Sequence, residues 1–428
     1  MRIEELYNIF LSSDGVSIDT RSIQSGQLFF ALKGRTFDGN QKAQEAIERG
    51  AAYSIVDDAS VVENDKYILV TNVLSSLQKL ANFHRKNINV PVLGITGSNG
   101  KTTTKELIRE VLSTRNKVAC TKGNYNNHIG LPLTLLNESK DADIWILEMG
   151  TNAPGNIQEL CDIGNPTLGI ITNIGLAHLE QLIDQEGVYK EKSTLFDSVS
   201  NANGVLFVNE EDPWLGYYKK VKNTIYYSST QIDALKINVT TDQESCLKLE
   251  IHNVEEIIEI QSHLTGNYNI QNISAAIAVG QYFEIPLRVI CNAISNYRPT
   301  NMRSELKETE KNILFIDAYN ANPSSMRESV LSHLAKKKED LVFILGDMLE
   351  LGDSAIVYHE SILELLKTED VNVITVGPIF SSCANKIDQR FDTVESLLMS
   401  DLLNNLENRQ ILIKGSRGIY LEKVIPFL

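Results

Sequence analysis

Short, continuous apolar runs separated by helical patterns make up most of the chain after residue 80. Between residues 81 and 298 the runs are "VPVLGIT", "DIWILEMG", "TLGIITNIG" and "GVLFVN". From residue 299 onward they are "NILFIDAYN", "DLVFILGDM", "VNVITVGP" and "ILIKGS". Such runs are typical of strands that are buried on both faces of a parallel sheet. The pattern therefore predicts α/β architecture in both of these sections.

The first section of the chain mixes two shorter strand-like runs, "LFFALKG" and "AAYSIVDD", with the helical pattern "NQKAQEAIERGA". A second helical pattern, "LSSLQKLANFHRKN", ends before Pro91, and the turn-like "NYRPTN" separates the second section from the third. From these changes we predict three domains, at residues 1–80, 81–298 and 299–428.

Composition narrows the class of protein. A chain of 428 residues that is 43% hydrophobic and 22% charged can bury a large core, and its length fits two or three domains. The chain lacks the roughly 18 consecutive apolar residues of a membrane span, and "MRIEELYNIF" is acidic where a signal peptide is basic, so we expect a cytoplasmic protein. The formal charge of −15 disfavours nucleic acid as the main partner.

Cysteine usage agrees with that expectation. The five cysteines are odd in number, scattered and without CxxC spacing: Cys120, Cys161, Cys246, Cys291 and Cys383. This distribution favours reduced thiols over a disulfide scaffold or a zinc site.

The stretch "GITGSNGKTTTKEL" lies between a predicted strand and a predicted helix, which is the setting of a phosphate-binding loop. Gly97 and Gly100 allow the backbone N–H groups to turn inward, Lys101 can reach terminal phosphates, and Thr102 can bind magnesium. Ile95 stands where the usual G-x-x-x-x-G-K-[ST] pattern has glycine. We interpret the stretch as a nucleotide-phosphate site, and the alternative is a simple turn between strand and helix.

Two further predicted strands end in residues that can bind metal. Glu148 ends "ILEMGTN", and His178 and Glu180 follow the strand in "ITNIGLAHLE". Ligands gather at the carboxyl ends of the strands of an open parallel sheet, so Glu148 and His178 are candidate magnesium ligands. The alternatives are that Glu148 caps the next helix and that His178 is simply a packed or solvated side chain.

Motifs along nearly the whole chain resemble those of the Mur ligases, the ATP-dependent amide-forming enzymes of peptidoglycan synthesis. They are "IDTRSIQSGQLFFALKGRTFDGN", "TGSNGKTTTKE", "TKGNYNNHIGLPLTLL", "IDAYNANPSSMRESV", "ILGDMLELGD" and "ILIKGSRGIYLEKV". Within the family the motifs are most similar to those of the members that add D-alanyl-D-alanine to UDP-N-acetylmuramoyl tripeptide. The resemblance implies an N-terminal UDP-binding α/β domain, a central P-loop ATPase domain with a parallel sheet and a C-terminal Rossmann-like α/β domain. We expect these substrates as the partners, and a monomer.

The resemblance also implies a mechanism. ATP converts a substrate carboxylate into an acyl phosphate, which an amine attacks, and two Mg²⁺ ions bridge the phosphates and the carboxylate. Lys101 would neutralise the β and γ phosphates, Thr102 and Glu148 would hold the first ion, and Glu148 and His178 the second. In "EGVYKEKSTLF" the family's carbamylated lysine, which helps to place magnesium, corresponds to Lys192. Lys190 lies two positions away, and an ordinary solvated helix face is the alternative.

The remaining site residues also follow from the resemblance. The nucleotide contacts it implies are Gly97, Ser98, Asn99, Gly100, Lys101, Thr102, Thr103, Asn269, Asn272, Arg303, Asp317 and Tyr319. The substrate contacts it implies are Thr20, Arg21, Asn126, Asn127, Asn320 and Asn322. Here Tyr268 and Asn40 stand where the family often has histidine. The alternatives are helix caps for Asn269 and Asn272, a surface ion pair for Arg303, and loops that satisfy their own backbones for the asparagines near residue 126.

Three other functions compete with the ligase that adds D-alanyl-D-alanine. A sister ligase that adds a single amino acid, or a related glutamate ligase, fits "GNYNNHIGLPL" and "YNANP" less well. A nucleotide-binding regulator without catalysis fits poorly with the complete set Lys101, Glu148, His178 and Lys192. A nucleic-acid NTPase lacks an evident basic stripe.

Overall fold

The computed structural model describes residues 1–138, 141–240, 246–300, 302–336, 340–384, 387 and 389–428. Within these ranges the strands form three separate sheets with helices packed against them. The predicted α/β class is therefore confirmed. No helix in the described ranges is both long enough and apolar enough to cross a membrane.

The first sheet has four parallel strands in the order β1-β2-β3-β4. Its strands and helices are β1 (Val16–Ser17), β2 (Leu28–Phe30), β3 (Tyr53–Val56), β4 (Tyr67–Leu69), α1 (Ile3–Leu11), α2 (Ala43–Glu48) and α3 (Val73–Lys86). Helix α3 buries Val73, Leu77, Leu80 and Ala81, the spacing of a single helix face. The domain limit that we predict at residue 80 lies within this helix.

The central sheet has ten strands in the order β14-β13-β12-β11-β10-β9-β8-β5-β7-β6. The strands are β5 (Val92–Thr96), β6 (Val118–Cys120), β7 (Ile144–Glu148), β8 (Leu168–Ile171), β9 (Val205–Asn209), β10 (Thr224–Tyr227), β11 (Gln231–Ile232), β12 (Leu235–Val239), β13 (Lys248–His252) and β14 (Ile257–Gln261). The helices are α4 (Lys101–Leu112), α5 (Gly130–Asn137), α6 (Asn156–Gly164), α7 (Leu179–Leu182), α8 (Gln185–Asn201), α9 (Asn269–Tyr282) and α10 (Leu287–Asn296).

Two kinds of strand make up this central sheet. Strands β5 to β10 pair in parallel, and every residue of β5 and β7 is buried, as the apolar runs predict. Strands β11 to β14 add an antiparallel extension that the sequence reading did not predict. In β14 buried and exposed residues alternate, because one face of this extension is in solvent.

The third sheet has the order β15-β16-β20-β17-β18-β19 and is parallel except for the edge strand β15. Its strands are β15 (Glu305–Glu308), β16 (Ile313–Asp317), β17 (Leu341–Gly346), β18 (Asn372–Val376), β19 (Gln389–Phe391) and β20 (Gln410–Lys414). Its helices are α11 (Pro323–Leu334), α12 (Ala355–Leu366), α13 (Pro378–Ser382) and α14 (Val394–Leu398).

Hydrogen bonds join the central and C-terminal sections near the loop between β5 and α4. The Asn322 side chain donates to Asn99 Oδ1 at 2.7 Å, and the Leu176 N–H donates to Ser324 Oγ at 3.0 Å. The carboxyl ends of β5, β7 and β8 therefore lie opposite those of β16 and β20.

No disulfide links the five cysteines, all of which lie in the described ranges. The expectation of reduced thiols agrees with this arrangement.

Candidate active site

A cavity of about 600 Å³ lies between the strand ends of the central and C-terminal sheets. Most of the predicted site residues line it: Ser98, Asn99, Gly100, Lys101, Thr102, Thr103, Asn126, Asn127, Glu148, His178, Asn269, Asn272, Arg303, Asp317, Tyr319, Asn320 and Asn322. Four predicted residues lie outside its lining: Thr20, Arg21, Gly97 and Lys192. The structure thus brings residues from more than 200 positions apart into one site.

The loop from β5 to α4 needs glycine at two positions. Gly97 has φ +145° and Gly100 has φ +78°, a backbone region that other residues rarely adopt. A Cβ at Gly97 would collide with Thr172 Oγ1, and a Cβ at Gly100 would press against the Asn272 side chain. The first residues of α4, Lys101 to Thr103, line the cavity, and a helix N-terminus favours an anion.

Lys101 begins helix α4 and folds back over the loop. Its Nζ donates to the carbonyl oxygens of Gly97 at 2.6 Å and Ser98 at 3.3 Å. Desolvation lowers the pKa of Lys101 to about 8, although nearby Glu148 opposes that shift. The ammonium group is therefore held at the phosphate end of the cavity by contacts that a bound anion can replace.

Glu148 ends β7 and is only 2% exposed. Asn126 Nδ2 donates to its Oε1 at 2.9 Å, and the buried Lys105 Nζ lies 3.7 Å from its Oε2. Glu148 Oε2 has no hydrogen-bond partner among the described residues. The alternative role as a cap of the next helix is wrong, because Glu191 accepts the N–H groups at the start of α6.

His178 lies just before α7 in a left-handed conformation with φ +56°. Its Nδ1 lies 2.7 Å from Oε2 of Glu350, which comes from the C-terminal section. Desolvation lowers the pKa of His178, and the hydrogen bond from His178 lowers the pKa of Glu350. At neutral pH the pair is therefore a neutral imidazole beside an ionised carboxylate.

The three residues of "KEK" on α8 have different environments. Lys190 is exposed and pairs with Glu186 at 2.6 Å, whereas the Glu191 carboxylate accepts from Thr151 Oγ1 and from the start of α6. Lys192 is fully buried, and its Nζ has no hydrogen-bond partner in the described part of the chain. Desolvation, with repulsion from Lys101, moves the Lys192 pKa well below its usual value. The solvated-face interpretation thus holds for Lys190 and not for Lys192.

Asn269 and Asn272 form a buried hydrogen-bond chain beside the loop. The Asn272 amide donates to Asn269 Oδ1 at 2.7 Å, and Asn272 Oδ1 accepts from Thr104 Oγ1 at 3.0 Å. The Asn269 amide donates to the carbonyl of Thr265 at 2.7 Å. The residue that caps α9 is Tyr268, so neither asparagine is the N-cap.

Arg303 contacts an aromatic ring in the cavity wall. Its guanidinium carbon lies 3.6 Å from the centroid of Tyr319, and that of Arg417 lies 5.3 Å from the same ring. Cation–π contact therefore replaces the surface ion pair that was the alternative for Arg303. At the neighbouring strand ends, Asp317 forms an ion pair with Lys414.

The asparagines near residues 127 and 322 mainly organise the backbone around them. Asn127 Oδ1 accepts from the N–H of Gly130 at 2.9 Å, as the loop alternative expects. Asn322 Oδ1 caps α11 through Ser325, while its amide donates to Asn99. The side-chain oxygen of Asn320 accepts from the next residue's N–H at 2.9 Å.

Thr20 and Arg21 belong to the N-terminal section, away from the cavity. Thr20 Oγ1 donates to Glu45 Oε1 at 3.1 Å, and the exposed Arg21 pairs with Asp19 at 2.6 Å. The hydrogen bonds from Arg21 lower the pKa of Asp19 to about 2. The structure does not bring these two residues to the other predicted site residues.

The side chains of Thr102, Glu148 and His178 could bind a small hard cation such as Mg²⁺ only if other molecules supplied further oxygen ligands. The described residues contain no cluster of three or more His, Cys, Asp or Glu side chains able to hold a metal ion. Thr102, His178 and Glu148 do line the same cavity, and Oε2 of Glu148 accepts no hydrogen bond from the described residues. Mg²⁺ is commonly bound by one or two carboxylates together with substrate phosphates. A single buried carboxylate beside the predicted phosphate-binding loop agrees with this mode of binding.

Three family models match the chain in succession. They are the Mur ligase family catalytic domain over residues 13–97, the Mur ligase middle domain over residues 95–280, and the Mur ligase glutamate ligase domain over residues 302–417. The UDP-N-acetylmuramoyl-tripeptide--D-alanyl-D-alanine ligase of Bacillus subtilis is 35% identical over 97% of this chain and 93% of its own length. The chain belongs to the Mur ligase family.

Other Mur ligases resemble the chain over similar lengths. The Escherichia coli UDP-N-acetylmuramoyl-tripeptide--D-alanyl-D-alanine ligase is 29% identical over 99% of this chain and 95% of its own length. The crystal structure of the MurF ligase of Thermotoga maritima in complex with ADP superimposes with a TM-score of 0.87. That structure shares 27% identity and covers 98% of this chain and 97% of its own.

In this Mur ligase chain, sequence reasoning missed several charged residues near the cavity, among them Lys414, Lys105 and Glu350. Lys414 ends β20, so the strand-end rule that singled out Glu148 could have found it. Lys105 lies one helical turn after Lys101, but nothing in the sequence distinguishes it from a solvated lysine. Glu350 reaches His178 from 172 residues away, a contact that only the tertiary structure reveals.

Proposed function

We propose that this chain joins D-alanyl-D-alanine to UDP-N-acetylmuramoyl tripeptide, with ATP converted to ADP and phosphate. One observation carries the proposal: the 35% identity with the Bacillus subtilis ligase of that name, which extends along 97% of the chain. A sister ligase or a regulator is not favoured, because the similarity to this ligase is continuous and the predicted site residues converge on one cavity.

ATP would bind with its phosphates on the loop between β5 and α4. The tight glycines, the start of α4 and Lys101 together supply N–H donors and a positive charge at one end of the cavity. The Thermotoga maritima relative was crystallised in complex with ADP, which supports a nucleotide site. Arg303, whose guanidinium carbon lies 3.6 Å from the centroid of the Tyr319 ring, and Tyr319 itself would contact the base.

Thr102, Glu148 and His178 would hold Mg²⁺ together with the nucleotide phosphates. When bound, Mg²⁺ supplies charge neutralisation for phosphoryl transfer. Glu148 Oε2 supports this assignment, because this buried oxygen accepts no hydrogen bond from the described residues and has only a 3.7 Å ion pair with Lys105. Asn126 and Lys105 would keep the Glu148 side chain in place.

Lys192 would carry a carbamate. Carbon dioxide reacts with a neutral amine, and burial lowers the pKa of the Lys192 amine, which has no hydrogen-bond partner among the described residues, and so favours its neutral form. The product is a carboxylate on a long stem, which adds an oxygen ligand near Lys101. Lys190 is excluded from this role by its exposure and its pairing with Glu186.

The reaction would proceed in two steps. An oxygen of the tripeptide's terminal carboxylate attacks the γ-phosphorus, and the bond from that phosphorus to the β–γ bridging oxygen breaks, which yields an acyl phosphate and ADP. The amine of D-alanyl-D-alanine then attacks the acyl carbon, loses a proton and expels phosphate as the amide forms. Lys101 would stabilise the charge that develops on the phosphoryl oxygens.

The UDP end of the substrate would lie on the N-terminal section, where Thr20 and Arg21 offer a hydroxyl and an exposed guanidinium. Asn126, Asn127, Asn320 and Asn322 would face the substrate in the cavity. The domain limits 1–80, 81–298 and 299–428 are part of the same proposal, as are a monomeric state and a cytoplasmic location.

Phosphate release tests the proposed reaction. The assay contains ATP, Mg²⁺ and the UDP-muramoyl tripeptide, with D-alanyl-D-alanine or single amino acids as the added amine. Release that requires the dipeptide is expected, and Lys101→Met serves as the inactive control. Release with a single amino acid would assign a sister ligase instead, and no release with any amine would favour the regulator.

A further inference from the structure

The contact between His178 and Glu350 joins two sections of the chain at the cavity edge. Both residues have positive φ, +56° and +63°, and so both backbones are held in an unfavourable region for non-glycine residues. A second bond, from the N–H of Glu180 to the carbonyl of Glu350 at 3.2 Å, fixes the Glu350 backbone against α7. Such strain persists only where surrounding structure imposes it, which draws attention to the side chains it presents.

The hydrogen bond determines which ring nitrogen of His178 carries the proton. Glu350 presents a half-exposed carboxylate to the ring, and an ionised carboxylate can only accept a hydrogen bond. Nδ1 of His178 must then be the donor across the 2.7 Å contact. In a neutral ring that carries its proton on Nδ1, Nε2 has the lone pair that a metal ion requires.

A simple surface ion pair explains this arrangement poorly. The Glu350 side chain is 56% exposed, and exposed ion pairs contribute little to stability. Histidine ligands of metals, by contrast, commonly donate their other ring N–H to a carboxylate, which fixes tautomer and ring orientation. The contact between His178 Nδ1 and Glu350 Oε2 has this form, with Glu350 as the carboxylate that accepts the ring N–H.

We propose that Glu350 is a positioning residue of the active site: its carboxylate, delivered by the C-terminal section, holds the His178 ring with Nδ1 protonated and Nε2 free to bind the metal of the proposed reaction. The inference rests on the proposed function, because it concerns the same metal site. It goes beyond that function by linking the packing of the two sections to the readiness of a ligand in the central section. Separation of the sections would release the ring.

The first test observes the tautomer without metal or turnover. Two-bond ¹H–¹⁵N spectra of the full chain, labelled with ¹⁵N-histidine, contain signals from seven histidines, and His178→Gln identifies those of His178. We expect a neutral ring protonated at Nδ1 in the wild type. Glu350→Gln keeps an acceptor oxygen and should retain this tautomer, whereas Glu350→Ala should lose it.

The second test measures metal binding. Mn²⁺ added with ADP broadens signals of nearby nuclei, and the concentration that broadens His178 by half reports occupancy. Glu350→Ala should raise this concentration about 10- to 100-fold, the usual cost of removing such a partner. Glu180→Gln is the matched control, because Glu180 is an exposed carboxylate two residues from His178 whose side chain is not part of the contact, and it should match the wild type within about twofold.

Three results would overturn the inference. They are a wild-type His178 protonated at Nε2 or at both nitrogens, a tautomer that Glu350→Ala leaves unchanged, and an equal shift in Mn²⁺ binding for Glu180→Gln and Glu350→Ala. Failure of the proposed function has a different signature. In that case the wild type shows no dipeptide-dependent phosphate release, while the spectra still report on Glu350 independently.

Discussion

Two regions of the molecule hold their predicted site residues in different ways. One is the cavity between the central and C-terminal sections, and the other is the N-terminal section. Glu148, which lines the cavity, has a carboxylate oxygen that accepts no hydrogen bond from the described residues, and the amine of Lys192, outside the lining, also has no hydrogen-bond partner among them. In the N-terminal section, Thr20 and Arg21 are already paired with Glu45 and Asp19. Under the proposed function, a ligand of the cavity would meet polar groups that have no hydrogen bonds to displace, whereas a substrate at Thr20 and Arg21 would have to displace existing pairs.

The largest effect should come from Lys101, which lies at the phosphate end of the cavity. Lys101→Met removes the charge and two hydrogen bonds but keeps the length of the side chain. We expect kcat for phosphate release to fall about 10²- to 10³-fold, as when one preorganised transition-state donor is lost. Steady-state kinetics measures the fall, and Lys190→Met, a lysine outside the cavity, serves as control. An active Lys101→Met would break the comparison, because the cavity would then not be the catalytic region.

Substitution of Lys192 should give the next largest loss of activity. Its comparison with the same substitution at Lys190 shows which of these two lysines of α8 the reaction needs. Lys192→Met fits a buried site and removes the amine, so we expect activity to fall about 10²-fold, the upper range for loss of a metal-site partner. ¹³C spectra recorded in labelled bicarbonate should show a carbamate signal in the wild type and in Lys190→Met, and none in Lys192→Met. A signal that persists in Lys192→Met would assign the carbamate to another residue.

Arg21 tests the N-terminal section. Arg21→Ala removes an exposed charge, and we expect the KM for the UDP-linked tripeptide to rise about 10- to 100-fold, because a hydrogen bond to a charged group contributes about 1.5–3 kcal/mol. The Kd of ADP should not change. Isothermal titration of ADP and kinetics with varied tripeptide measure the two quantities, and Arg35→Ala, a nearby arginine outside the proposed contacts, is the control. A rise in the ADP Kd would erase the distinction between the two regions.

Some residues of the candidate site could be predicted from the sequence and others could not, because only some of them lie in a recognisable sequence pattern. Gly100, Lys101, Glu148 and His178 follow apolar strands, and a parallel sheet brings strand ends to one edge, so the sequence could predict their convergence. Lys190 and Lys192 could not be separated by pattern. Residues two apart on a helix point about 200° apart, and only the packing of α8 decides which side is buried.

The fold shows the same division. The parallel strands of the central sheet were predictable because they are buried on both faces and so are continuous apolar runs. The antiparallel strands β11 to β14 were missed, because their alternating residues give a weaker signal in short segments. The contact between Glu350 and His178 depends on how two sections pack, which no local pattern records.

The pH dependence of nucleotide binding offers a smaller and more specific contrast. Lys101 has a pKa of about 8 in the nucleotide-free protein, so it is charged below that pH and loses its proton above it. Bound phosphate favours the charged form, so the affinity for ADP should be constant below pH 8 and fall up to about tenfold per pH unit above it. Lys101→Arg should remove this fall, since arginine stays protonated.

Titration calorimetry of ADP between pH 6.5 and pH 9.5 measures this dependence, and binding of the UDP-linked tripeptide through Arg21 gives the comparison. The tripeptide should show no matching fall, because arginine does not titrate in this range. The same fall for both ligands would point to a general loss of structure instead of the titration of Lys101.

The smallest effect concerns the hydrogen bond that holds the two sections of the cavity together. Asn322→Ala removes both the cap of α11 and the bond to Asn99, and we expect the free energy of unfolding to fall by about 2 kcal/mol. Asn322→Asp keeps the cap but loses the donor to Asn99, so about 1 kcal/mol of that loss should remain. Urea unfolding with equal m-values measures both changes. If Asn322→Asp is as stable as the wild type, the bond to Asn99 contributes nothing to the free energy of unfolding. The C-terminal section must then be positioned by the contact between Glu350 and His178 and by the bond from Leu176 to Ser324.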